Sequence, residues 1–370
     1  MRLALAGAGI MGRVLAFYLL QQGHRVSLFD RDPIEAGSAA AWTAAGMLAP
    51  WAELESAEQA VHTLGLRSLA LWPQLVAALG EDVGFHQRGS LVVAHPGDRA
   101  EYQHFCQRLD AAVDNPADRQ LLDHAALARL EPALAEHFER ALWLPGEAWL
   151  DTRLVMAALG RYLLAQGAEW HPGCRISALT STSVSIAEHG NTAHYPFDQV
   201  IDCRGLGARG DLPGLRGVRG EVLWLEAPEV QFSRPVRLLH PRYRLYLVPR
   251  SNHIYVLGAT QIESDDSGPV TLRSALELLS AAYSLHAGFA EARVIHMEAN
   301  CRPALDDNLP CLLVENGLIR VNGLFRHGYL LAPALAEQVL ALLAAPLSGL
   351  PTSILLAELA INTAPLGEQP

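Results

Sequence analysis

Residues 2–12 read Arg-Leu-Ala-Leu-Ala-Gly-Ala-Gly-Ile-Met-Gly (RLALAGAGIMG). Leu3 to Ala6 is a short uncharged apolar run, which predicts a buried strand. Gly7-Ala8-Gly9-Ile10-Met11-Gly12 follows with the spacing GxGxxG, and a helical pattern runs on to Gln22, where Gly23 stops it. Arg25 to Phe29 (RVSLF) predicts a second strand, and Asp30 ends it. A strand, a glycine turn, a helix and a second strand in this register form the fingerprint of a dinucleotide-binding α/β domain. Gly7 permits the tight turn, Gly9 lets a pyrophosphate approach the backbone, and Gly12 lets helix and strand pack closely. The helix start offers free N–H groups and the positive end of a dipole to phosphate. Asp30 stands 18 positions past Gly12, where a carboxylate can accept hydrogen bonds from adenosine ribose hydroxyls. Such an acid disfavours a 2′-phosphate, although Arg31 beside it weakens the discrimination. The fingerprint does not by itself choose FAD over NAD.

Outward from this unit, residues 57 to 79 predict a helix with Pro73 inside it and Gly80 as its cap. Gly89 to Ala94 (GSLVVA) predicts a strand that opens a different sheet. Residues 98 to 140 read as mainly helical, with Asp98 as an N-cap. Asp151 caps another helix that ends at Gly167. Gln199 to Cys203 (QVIDC) predicts a strand followed by Gly205 and Gly207. Between Gly220 and Thr260 the runs GEVLWLEA, VRLLH, YRLYLVPR and IYVLGAT lie close together, as in an antiparallel meander. Thr271 to Leu285 predicts a helix, Arg293 to Glu298 (RVIHME) and Leu318 to Val321 (LIRV) strands, and residues 335 to 345 a final helix before a frayed tail, NTAPLGEQP. The fold class is therefore α/β plus α+β. A Rossmann-like nucleotide domain is assembled from separated segments (1–84, 141–210 and 300–370), and an inserted domain with a mainly antiparallel sheet takes 85–140 and 211–299.

Half of the 370 residues are hydrophobic and 18% are charged, ample material for a core. The formal net charge of −11 argues against nucleic-acid or anionic-membrane binding, which clustered Lys and Arg serve, and leaves a local anion site open. No apolar run reaches the length of a membrane span, and the glycines account for the apolar N-terminus better than a signal peptide does. Five scattered cysteines suit a reducing cytosol, so a cytoplasmic location is expected. His171 and Cys174 have the spacing of half a metal site, but no second pair follows, so no metal is expected.

Residues 41–53, AWTAAGMLAPWAE, fit neither a helix stripe nor an alternating strand. Ala44, Ala45 and Gly46 have little or no side chain, so their backbone could approach a flat tricyclic ring and offer N–H groups to its polar edge, with Met47 and Leu48 as apolar wall. The same residues also suit a small-residue helix contact in a core. The order and spacing of GAGIMG, FDRD and AAWTAAGMLAP resemble the amino-terminal region of the D-amino acid oxidase superfamily of FAD-dependent oxidoreductases, and within it the glycine oxidase branch linked to thiamine biosynthesis. GEAWLDT, QVIDCRGLGA, LYLVPR, CRPALDDNLP and GLFRHGYLLAP extend the resemblance over nearly the whole chain.

The resemblance implies noncovalent FAD and oxidation of a small amine-bearing carboxylate: glycine, sarcosine or a small D-amino acid. Hydride would pass from Cα to flavin N5, and oxygen would be reduced to hydrogen peroxide. Asp30, with Arg31 beside it, would bind ribose, while Thr43, Ala45, Gly46 and Met47 would line the pyrophosphate and flavin. Ile176 would touch the adenine region through its backbone, and Gly205 would pack near the cofactor. Phe325, Arg326, His327, Gly328, Tyr329 and Leu330 would meet the pyrimidine end of the flavin. Tyr246 and Arg302 match the family's substrate-binding residues, and Arg326 falls on the substrate side. The planar fork of Arg302 suits two carboxylate oxygens, and Tyr246 can donate to the same group; an interdomain ion pair and a sheet aromatic are the plainer roles for the two. His327 is either a general base or a packed residue. Cys301 stands where some sarcosine oxidases carry covalent flavin. Arg204 and Thr43 depart from the family pattern and leave the substrate open. A second reading is a flavoprotein that modifies a partner protein, building a quinone cofactor with little free amino acid turnover. An oligomer is compatible with either.

Overall fold

In the computed structural model, which describes residues 1–54, 57–112, 115–188, 191–240, 245–344 and 353–354, the opening stretch folds as its glycines require. Arg2–Ala6 and Arg25–Phe29 are parallel strands joined through the helix Ile10–Gln21. Gly7 holds the turn at φ +95°, a conformation that costs glycine little and other residues much. A side chain at Gly12 would run into the Gly7 carbonyl, so helix and turn are in closest contact there.

These strands lie inside a seven-stranded sheet in the order Ser353–Ile354, Cys311–Glu315, Leu318–Asn322, Gln199–Asp202, Arg2–Ala6, Arg25–Phe29, Glu169–His171. The five from Leu318–Asn322 onward run parallel; Cys311–Glu315 is antiparallel to both of its neighbours, Leu318–Asn322 and Ser353–Ile354. Leu3, Leu5, Val14 and Leu15 are buried in one core with residues of Gly328–Ala344 and Gln59–Leu79. Gly328–Ala344 begins seven residues earlier than the expected start at 335, because Pro333 disguises its first turns. Proline leaves the Tyr329 carbonyl without its helical N–H donor. The indole of Trp72, on Gln59–Leu79, donates to that carbonyl instead at 3.0 Å.

The second sheet has nine strands. Its order is Ile262–Glu263, Arg216–Glu226, Ile254–Gly258, Leu245–Pro249, Val236–Leu239, Ser90–Ala94, Arg140–Leu144, Gln120–Asp123, with Arg293–Ala304 paired to Arg216–Glu226. The pairings are antiparallel except between Val236–Leu239 and Ser90–Ala94. Residues 98–140 are mainly helical, as expected, but Gln120–Asp123, absent from the sequence reading, is a strand, and Arg140–Leu144, across the expected boundary at 140/141, is its neighbour in this sheet. A three-stranded meander, Ile176–Leu179, Ser183–Glu188 and Asn191–Pro196, is also absent from the sequence reading. The expected tail, NTAPLGEQP, lies outside the described residues. No helix among the described residues is long and apolar enough to cross a membrane.

Val222, Trp224, Val248 and Val256 of the second sheet pack against Ala45 of the loop after Thr43 and against Trp149, forming one apolar cluster. The strand Arg293–Ala304 is solvent-exposed at its start and buried at its end, where Asn300 donates to the Ser38 carbonyl and Thr43 hydroxyl. It thereby carries Arg302 to the seam between the sheets.

Candidate active site

A cavity of about 1190 Å³ opens along this seam, larger than the roughly 300–1,000 Å³ of ordinary small-molecule sites. Gly7, Gly9, Ile10, Met11, Asp30, Arg31, Thr43, Ala45, Gly46, Met47, Ile176, Gly205 and Phe325 through Leu330 all line it, and so do Tyr246 and Arg302. Gly12 does not; it works from behind the wall.

At one end the helix Ile10–Gln21 starts at Gly9 without a side-chain cap, so its first N–H groups face the cavity uncovered. A Cβ on Gly9 would meet only the Ala39 Cβ, at 3.9 Å. Asp30 is held rigid by the N–H groups of Ala8, at 2.5 Å, and Asp32, at 2.9 Å. A carboxylate has about four acceptor sites, which leaves room for further donors. Gly173 to Ile176 closes this end, with Cys174 N–H on the Asp30 carbonyl at 2.9 Å. The His171 ring stacks on Phe29 at 4.4 Å. Glu136, His137 and His286 are close enough together to share an ion, but none lines the cavity.

The middle of the cavity is the loop after Thr43. Thr152 donates to the Ala44 carbonyl at 2.8 Å, Arg250 to the Ala45 carbonyl at 2.6 Å, and Leu150 N–H to the Gly46 carbonyl at 3.0 Å. Ala45 and Gly46 are buried, yet their own N–H groups find no protein acceptor among the described residues. Buried backbone donors rarely stay unpaired, so these two fit the polar edge of a flat heterocycle. Tyr329 supports the loop from behind by donating to the Ala41 and Thr152 carbonyls. Phe325 stands at φ +49°, a left-handed conformation strained for an aromatic residue, with its N–H on the Pro303 carbonyl. Arg204, the departure from the family pattern, is committed to ion pairs with buried Asp202 and with Asp211.

The other end gathers charge. Arg302 donates to the Thr260 carbonyl at 3.1 Å and has no carboxylate partner among the described residues. Its guanidinium lies across Gly220, where any side chain would collide with it. Burial lowers its pKa from the ordinary arginine value, with Tyr246 opposing. Burial likewise raises the Tyr246 phenol, with Arg302 opposing. Sequence reasoning missed Glu53 and Arg237, which share this end. Glu53 takes a short hydrogen bond from Arg326 and lies 3.7 Å from Arg237 and 3.6 Å from His327 Nδ1. Burial opposes its charge, but Arg326, His327 and Arg237 outweigh that and hold the carboxyl at about 2. Burial pushes His327 down to about 4 despite Glu53. At neutral pH the imidazole is therefore uncharged and a feeble base.

A family described as "DAO: FAD dependent oxidoreductase" matches residues 2–342. A Rhizobium etli protein named as a thiamine biosynthesis oxidoreductase, ThiO, is 46% identical over 92% of this chain and 95% of its own. The crystal structure of glycine oxidase from Geobacillus kaustophilus superposes with a TM-score of 0.78 at 25% identity, over 92% of this chain and 94% of that one. That of iminodiacetate oxidase from Chelativorans sp. BNC1 gives 0.78 at 26% identity, over 94% and 98%.

Proposed function

The chain belongs to the DAO family of FAD-dependent oxidoreductases, and on that premise we propose that it oxidises a small amine-bearing carboxylate: glycine, sarcosine or a small D-amino acid. The observation that carries this reading is Arg302, a desolvated guanidinium beside Tyr246 with no carboxylate of its own among the described residues. A half-buried charge without a counterion is costly, and a substrate carboxylate removes that cost on binding. The planar fork takes two carboxylate oxygens and the Tyr246 hydroxyl donates to one of them. Glu53 keeps Arg326 and Arg237 in place around the substrate. His327 gives and takes no proton near neutrality; the amine binds in its neutral form and the imine product hydrolyses in water. FAD, when bound, would supply the two-electron acceptor for the hydride from Cα, with oxygen as the final oxidant giving hydrogen peroxide. The free N–H groups of Ala45 and Gly46, with the start of the helix Gly328–Ala344, serve the polar edge of its ring. The Cys301 thiol donates to the Ser264 and Asp266 carbonyls and burial raises its pKa, so it offers little thiolate, in keeping with noncovalent flavin.

The test is an anaerobic visible spectrum of the yellow protein during additions of glycine, sarcosine and D-alanine. Iminodiacetate belongs in the panel because one structural neighbour is named for it. Bleaching of the flavin bands by any of these supports the reading and ranks the substrates. Flavin that none of them bleaches refutes it in favour of a protein substrate or an amine outside the panel.

A further inference from the structure

Arg250 lies outside the cavity wall. It directly follows the strand Leu245–Pro249, the same strand that bears Tyr246. Its side chain is 5% exposed and crosses the seam. Nη2 donates to the Ala45 carbonyl at 2.6 Å, Nε lies 3.3 Å from Asp151 Oδ2, and the guanidinium carbon lies 5.9 Å from the centre of the Trp224 ring. Asp151 caps the helix Thr152–Ala165, whose first residue fastens the Ala44 carbonyl. In a trans peptide the carbonyl and the following N–H point in opposite directions. Fastening the Ala45 carbonyl on the side of the second sheet therefore turns the Gly46 N–H the other way. The Thr152 bond does the same for the N–H of Ala45.

We propose that Arg250 is a positioning residue that fixes the Ala45–Gly46 peptide plane so that its N–H meets the flavin. Through it, the strand of Tyr246 and the polar edge of the cofactor move as one. The inference rests on the reading of this loop as the flavin contact. An Arg250–Asp151 pair serving stability alone would lower the melting temperature when lost and leave the flavin's spectrum and potential where they were.

The experiment compares Arg250→Met and Arg250→Lys with the parent holoprotein. The readouts are FAD dissociation, the visible flavin spectrum and its reduction potential, with circular dichroism as the folding control. Losing one charge-assisted hydrogen bond to the loop weakens FAD binding by about tenfold in Arg250→Met and shifts both spectrum and potential. Lysine has one ammonium in place of the fork and cannot hold the Ala45 carbonyl and Asp151 together as arginine does, so Arg250→Lys falls between the two. A folded Arg250→Met with parental FAD affinity, spectrum and potential overturns the proposal. If that variant does not fold, an Arg250→Lys with all three parental values overturns it equally. A parent protein that carries no flavin and takes none up refutes the flavin reading itself, which separates the two failures.

Discussion

Arg302 and His327 line one cavity, and removal from water has different consequences for each. For Arg302 it leaves a cation in need of an anion. Arg302→Gln should therefore raise KM at least about a hundredfold, the scale expected when a buried charge partner is removed, while retention of FAD on gel filtration stays unchanged. For His327 burial removes the charge at all but acid pH, so His327→Gln should leave the shape of the pH–rate profile between pH 6 and 9 as it was; a lost limb would restore the imidazole as a base. Glu147 gives the clearest stability test. It is fully buried, accepts from Ala52 N–H at 2.7 Å and from the Ser90 hydroxyl, and burial lifts its carboxyl to about 7 against those bonds. Its folded pKa lies above the unfolded one, so its contribution is complete below about pH 4.5 and is lost as pH rises through 7. Glu147→Gln cannot ionise and should gain on the parent by on the order of 1–3 kcal/mol between pH 4.5 and 8 in urea melts. Arg302, Tyr246 and the loop residues were legible because each stands in a distinctive local block. Glu53, Arg237 and Glu147 were not, because their meaning lies in partners elsewhere in the chain; Glu53 answers to Arg326 across 273 positions.

Legibility at the scale of elements followed the range of the contacts. The first strand, helix and strand could be read because glycine spacing and apolar runs are local signals. Gln120–Asp123 was lost because four residues rich in leucine, exposed apart from Leu122, look like the helices around them. Only pairing with Arg140–Leu144 makes them a strand. The start of the last helix was hidden by Pro333, whose cost is met by a residue on another helix, Trp72. Trp72→Phe keeps an aromatic side chain but removes the donor and part of the buried ring system, leaving the Tyr329 carbonyl unsatisfied. It should lower unfolding free energy by about 1–3 kcal/mol, measured by denaturant titration. Loss of helix definition near Gly328 should accompany it, seen as faster amide exchange there.

For the molecule as a whole, the cavity couples ligand and stability, since its walls come from both sheets and a ligand holds them together. Saturating FAD at about 100 times its Kd should stabilise the fold by roughly 2.7 kcal/mol, seen as a rise in melting temperature that NAD does not reproduce. An equal rise with NAD would count against the loop of Ala45 and Gly46 as a flavin contact. The order of strands in the first sheet also has a consequence in time. Arg2–Ala6 lies between Arg25–Phe29 and Gln199–Asp202, and Leu318–Asn322 lies one place further out. At roughly 5–20 residues per second, a ribosome takes on the order of 10–40 s to supply the second neighbour. It takes longer still to supply Phe325 to Leu330. The glycine turn that follows Arg2–Ala6 is thus made well before the residues that close over it. A cofactor that needs both walls therefore meets its complete site only once Phe325 to Leu330 have been made. In a cell short of flavin, the deficit should appear as fewer surviving molecules, with turnover removing the chains that found none.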